Sequence, residues 1–91
     1  DAIEVRQGDL LQGLSQQFDF AAANILAPVI CMLAAPLKAH LKPHGRFICS
    51  GIIDDRADEV KGKLEEAGFA ILETRSSEGW YSFTCRTAER G

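Results

Sequence analysis

The chain of 91 residues predicts an α/β fold, a sheet of mostly parallel strands that ends in an antiparallel hairpin. Three observations carry that prediction. Phe18-Asp19-Phe20-Ala21-Ala22-Ala23 is a short, almost wholly apolar run, the pattern of a strand buried on both faces by helices. A second such run, residues 46–53, follows a helical stretch that separates it from the first. Near the end, strand patterns at residues 70–75 and 80–86 are joined only by Ser76, Ser77, Glu78 and Gly79. That link is too short for a parallel crossover, so the pair reads as a hairpin.

In chain order, Ala2-Ile3-Glu4-Val5-Arg6 alternates apolar and polar and reads as a first short strand, closed by a turn at Gln7-Gly8-Asp9. Residues 10–17 read as a loop or weak helix. After the strand at residues 18–23, Pro28 suits the first turn of a helix, where its missing N–H costs nothing. Ile30, Leu33, Ala34, Leu37 and Leu41 form that helix's apolar stripe, widened by Val29, Met32 and Ala35. Pro36 predicts a kink or break, and Lys42-Pro43-His44-Gly45 predicts the stop. Asp54 or Asp55 is placed to cap a second helix, with Asp58 and Glu59 near its positive end. Ala57, Val60, Leu64 and Ala67 make its buried face, the lysines and glutamates its solvated face, and Gly68 its end. Trp80 and Tyr81 read as packing anchors of the hairpin, since no basic cluster surrounds them as a base-stacking platform would need.

Composition narrows the function classes. Apolar residues make up 46% of the chain, which argues for a packed domain rather than disorder. The length is that of one small domain or a piece of a larger one. The formal charge of −3 gives no support to a broad nucleic-acid or membrane surface. No stretch has the length and apolarity of a membrane span. Cys31, Cys49 and Cys85 are odd in number, widely spaced and set among apolar residues, so they read as reduced, buried thiols of a cytoplasmic protein. His40 and His44 flank a helix end with no partners at metal-ligand spacing, so no metal site is expected. The chain begins at Asp1 without an initiator methionine and reads as a fragment.

Two positions carry candidate chemistry. Asn24 ends the central apolar run, at the carboxyl end of a parallel strand, where such sheets bind ligands. Its amide could grip a polar group with two donors and an acceptor while carrying no charge; alternatively it caps the next helix or serves a turn. Asp9 could accept a hydrogen bond from a ligand amine at the end of the first strand, or simply close the turn, the more common use of Asp after Gly.

In order and spacing, Gly8-Asp9-Leu10, the run from Phe18 to Asn24-Ile25-Leu26-Ala27, Leu41-Lys42-Pro43-His44-Gly45-Arg46, Ser50-Gly51-Ile52 and Ala67-Gly68-Phe69 resemble the carboxyl-terminal half of the catalytic domain of class I S-adenosylmethionine-dependent methyltransferases. Such domains have a Rossmann-like sheet that ends in a reversed hairpin. The resemblance is strongest to PrmA-type enzymes that methylate large-subunit ribosomal protein eleven, and it covers nearly the whole chain. His44 departs from it, standing where a second glycine is usual. The resemblance implies S-adenosylmethionine as cofactor, with Asp9 facing the adenine amino group and Leu10 flanking its ring. It implies that Asn24 lies beside the cofactor's methyl group and is the catalytic residue that receives the incoming amine, and that Ile25 and Leu26 line the substrate pocket.

It also implies what the chain lacks. No Gly-x-Gly turn occurs to cradle the cofactor's methionine part, and the acidic ribose-binding position and the amino-terminal substrate-recognition domain are absent, so residues 1–91 are expected to form one partial domain. Alone, the chain is expected to bind cofactor poorly and to transfer no methyl group. Two missing strands would stand between the strand at residues 3–6 and that at residues 18–23, leaving the latter with a bare apolar edge open to self-association. Methyltransferases of glutamine amides or nucleic-acid bases usually follow the same asparagine with Pro-Pro and an aromatic. Here Ile25-Leu26-Ala27 follows, which favours a flexible aliphatic amine on a ribosomal protein. A non-catalytic α/β interaction module is the other rival.

Overall fold

The computed structural model describes residues 2–6 and 17–88. Its elements are β1 (Ala2–Val5), β2 (Phe18–Asn24), α1 (Ala27–Lys38), β3 (Leu41–Ile53), α2 (Asp54–Glu66), β4 (Phe69–Ser77) and β5 (Trp80–Thr87). They build one five-stranded sheet in the order β1-β2-β3-β5-β4. β1, β2 and β3 are parallel; β5 runs antiparallel between β3 and β4. The predicted α/β class, parallel strands closing in an antiparallel hairpin, is the observed one. Apart from Gln17, the loop or weak helix expected at residues 10–17 lies outside the described residues, as do Asp9 and Leu10.

Both helical crossovers advance across the sheet in the same direction, so their common right-handedness puts α1 and α2 on one face, where they also pack on each other. Alternation along each strand then sorts the side chains. Ala21 and Ala23 of β2, Phe47 and Cys49 of β3, and Phe83 and Cys85 of β5 point under the helices and are buried. Ile30, Ala34 and Leu37 of α1 and Val60 and Leu64 of α2 meet them there. The Phe47 and Phe69 rings lie 5.6 Å apart, and the Cys85 thiol donates to the Phe47 carbonyl at 3.3 Å. Phe20, Ala22, Asn24, Ile48 and Ser50 point to the opposite face, which no described helix covers.

Several boundaries differ from expectation, each for a local reason. Pro36 does not break α1; the helix runs through it and ends two residues later, at Lys38. Leu41 to Gly45 do not stop the helix but open β3, because Phe18 pairs with Leu41 and the Phe18 N–H donates to the His40 carbonyl at 2.8 Å. Met32 and Ala35 are exposed rather than part of the apolar stripe; Met32 lies about 200° around the helix from Ile30. Neither Asp54 nor Asp55 caps α2. Ile53 holds the cap position, the aspartates fill the first turn, and the Asp54 N–H donates to the Gly79 carbonyl at 2.9 Å. The hairpin link is two residues, Glu78 and Gly79, both at positive φ (51° and 83°), as a tight turn matched to strand twist requires. Trp80 is 54% exposed and is not a packing anchor; Tyr81 is half-buried beside Phe83.

The largest correction concerns the sheet edge. β1 pairs directly with β2, with Val5 opposite Ala23 and almost fully buried. The bare β2 edge expected to invite self-association is therefore closed, because its backbone groups are satisfied by β1. On that side of the sheet the edge is β1 itself, four residues long and carrying an exposed Glu4–Arg6 ion pair at 3.5 Å. Short length and charge both discourage strand addition.

Candidate active site

β2 ends at Asn24 because the chain must leave the sheet there to begin α1. Leu26 is the cap residue of that helix and makes no side-chain cap bond; its carbonyl accepts from the Val29 and Ile30 N–H groups at 3.0 and 3.1 Å. Asn24 therefore is not the cap, and it stays in extended strand backbone rather than a turn. Its side chain is exposed, and among the described residues its amide has no hydrogen-bond partner. What remains is a free neutral amide at the carboxyl end of a parallel strand.

The neighbouring strand shapes its surroundings. Asn24 is in register with Ser50 of β3, and the next residue, Gly51, sits at a β-bulge between Cys49 and Ile52 with φ at 78°. A shallow cavity of about 150 Å³ lies over the open face, lined by Glu4, Ala22, Ala23, Asn24, Ile48 and Ser50. Pockets that hold a whole small molecule run from about 300 Å³ upward, so this cavity by itself is too small to enclose one. Three larger hollows lie elsewhere. One, of about 410 Å³, is beside the start of α2 at Asp54, Lys61 and Tyr81; another, of about 580 Å³, is beside Lys38, Lys42 and His44 near the amino ends of β2 and β3; the third, of about 330 Å³, is on the hairpin at Ser77, Trp80 and Tyr81. None of the three is lined by Asn24 or Ser50; the cavity at Asn24 is the one beside the carboxyl end of β2, in the region where such sheets bind ligands.

The other predicted site residues separate. Ile25 belongs to the buried core and does not line the cavity with Asn24; Leu26 is 60% exposed just beyond it. Sequence reasoning missed Ser50 and Gly51, whose pattern marks a strand-to-loop step but says nothing of which strand lies alongside. Among the described residues no cluster of His, Cys, Asp and Glu could hold a metal ion, and the described helices are too short or too polar to cross a membrane. Cys49 and Cys85 are free and buried, and burial pushes each thiol up to about 12. Cys31 is half-buried, and burial raises its thiol as well.

Three parallel strands, two helices on one face and a terminal reversed hairpin define the carboxyl-terminal half of a class I methyltransferase sheet. The fold matches a SAM-dependent O-methyltransferase from Thermotoga maritima at a TM-score of 0.69, with 16% identity over 91% of this chain and 38% of that one. The chain belongs to the ribosomal protein L11 methyltransferase (PrmA) family, whose profile matches residues 1–88. The ribosomal protein L11 methyltransferase of Heliobacterium modesticaldum is 46% identical over 88 residues, 97% of this chain and 28% of that protein. That of Bacillus subtilis is 43% identical over 86 residues, 94% of this chain and 28% of that protein. The crystal structure of a ribosomal protein L11 methylase from Lactobacillus delbrueckii subsp. bulgaricus superposes with a TM-score of 0.82 at 29% identity, over 88% of this chain and 42% of that one. The chain thus spans little more than a quarter of the length of the curated relatives it matches, 28% in both proteins named here.

Proposed function

We propose that this chain is the carboxyl-terminal part of the catalytic domain of a cytoplasmic, S-adenosylmethionine-dependent methyltransferase that acts on amino groups, of lysine or a chain terminus, in ribosomal protein L11. The observation that carries the reading is the Asn24 amide: exposed, unpartnered among the described residues, and set at the carboxyl end of β2. The names of the relatives supply the substrate protein.

The donor set suits the chemistry. S-adenosylmethionine, when bound, supplies a methyl group on a sulfonium that an amine lone pair can displace. The protein must hold the amine in line, keep it unprotonated and exclude water. The amine N–H would donate to Asn24 Oδ1, which orients the lone pair. Because the amide is neutral, it does not favour the unreactive ammonium as a carboxylate would. Asp9 and Leu10 are proposed to meet the adenine. Leu26, exposed beside Asn24, is proposed to contact the aliphatic stem of the substrate, while Ile25 supports it from the core. The described cavity is one wall of this site, which agrees with a cofactor site shared with further parts of the full-length protein.

The test uses a protein that carries this chain within the full family length. Asn24→Ala is expected to leave calorimetric S-adenosylmethionine affinity within about threefold while lowering methylation of ribosomal protein L11 by about a hundredfold. The 91-residue chain alone is expected to bind little cofactor and transfer no methyl group. Unchanged turnover in Asn24→Ala would remove the proposed role; methyl transfer by the isolated chain would remove the shared site.

A further inference from the structure

We propose that Gly51 is a positioning residue for the Asn24 amide, leaving the carboxamide the space that any side chain there would fill. This rests on the role given to Asn24 above. Two separate features of the position support it. The first is backbone conformation: Gly51 has φ at 78°, in the left-handed region, at the extra residue of the β3 bulge. The bulge resets the alternation of the strand, so Ile52 returns to the covered face, fully buried, and Ile53 turns outward opposite Trp80. Asparagine adopts positive φ more often than other side chains do, though far less freely than glycine, so φ alone favours glycine but does not exclude every side chain.

The second feature does. A Cβ built on Gly51 would overlap Asn24 Oδ1 and lie 3.5 Å from its Cγ, with the Ile25 carbonyl oxygen at 4.0 Å. The atom displaced is the acceptor proposed to hold the amine. The amide makes no hydrogen bond among the described residues that would hold it against such a push, so it keeps this position only while residue 51 leaves the space open. Any side chain at residue 51 pushes the acceptor away from the strand end, and displacement by about 1 Å is enough to cost about a hundredfold in rate.

The experiment is a double-mutant cycle in the full-length protein, read by steady-state methylation and by thermal unfolding. Gly51→Ala is expected to lower kcat about ten- to a hundredfold with the cofactor KM changed by less than about threefold, a split that general destabilisation does not produce. Gly51→Asn, which carries less backbone strain than alanine at this φ but the same overlap, is expected to lose as much. With Asn24→Ala already present, Gly51→Ala is expected to cost less than about threefold more, and Gly51→Ala is expected to melt cooperatively, so that its loss of turnover is read on folded enzyme. An equal kcat loss in both backgrounds, or a Gly51→Asn variant with full turnover, would reduce Gly51 to a backbone role and overturn the proposal. Asn24→Ala with normal turnover would instead sink the reading of Asn24.

Discussion

The face of the sheet beneath α1 and α2 and the face opposite are built from alternate residues of the same strands, yet they differ in kind. On the covered face Phe47, Cys49, Phe83 and Cys85 are fully buried, and even the polar Thr87 is closed in, donating to the Lys42 carbonyl at 3.3 Å. On the open face Phe20, Ala22 and Ile48 are only half-buried, and Asn24 is exposed at its carboxyl end. The contrast teaches that the residues fixing this fold and those available for chemistry are interleaved one by one. A bulge at Gly51 that keeps the alternation in phase therefore matters to both.

If that division holds, truncations on the two faces differ most. Phe47→Ala is expected to cost about 3–5 kcal/mol of unfolding free energy, against about 1 kcal/mol for Ile48→Ala on the neighbouring residue. Equilibrium denaturation of the 91-residue chain reads both, and equal losses would mean that its open face is as tightly packed as the covered one. The thiols sharpen the comparison. An unfolded cysteine ionises near about 8.5, whereas Cys49 and Cys85 are held up to about 12 by burial. Their folded pKa is raised, so their contribution to stability is complete below the unfolded value and is lost as pH rises toward the folded one. The melting temperature is thus expected to fall between about pH 9 and 12, and a Cys49→Ala, Cys85→Ala double variant is expected to flatten that fall. At pH 8, mass-spectrometric mapping with a thiol reagent is expected to label Cys31, which is partly accessible, long before Cys49 or Cys85. The smallest effect is expected at the hairpin: Trp80→Ala should shift stability by less than about 1 kcal/mol, because its side chain is half exposed.

Much of this architecture was legible in the residues. The apolar run of β2, the Pro28 entry to α1, the Ala57, Val60 and Leu64 face of α2 and the reversed hairpin all follow from local pattern, and all are present. What pattern could not supply was partnership. Leu41 keeps the phase of α1 yet joins β3, because the carbonyl before it is taken by Phe18. Asp54 is a good cap by type, but its N–H meets Gly79 from the distant turn, so no cap is needed there. β1 pairs with β2 rather than leaving its edge bare, a choice made in space and invisible in either strand alone. The site shows the same limit. Asn24 was visible as a polar residue ending an apolar strand, while the glycine beneath its amide comes from another strand, 27 residues onward.

The central claim is that Asn24 serves as an uncharged acceptor for an amine, and the pH–rate profile of methyl transfer by the full-length protein with Asn24→Asp tests it most directly. A carboxylate in place of the amide would stabilise the bound ammonium, raise the pKa of the substrate amine and move the acidic limb of kcat upward by about one pH unit, with cofactor affinity little changed. A limb that stays in place, or moves to lower pH, would contradict the account.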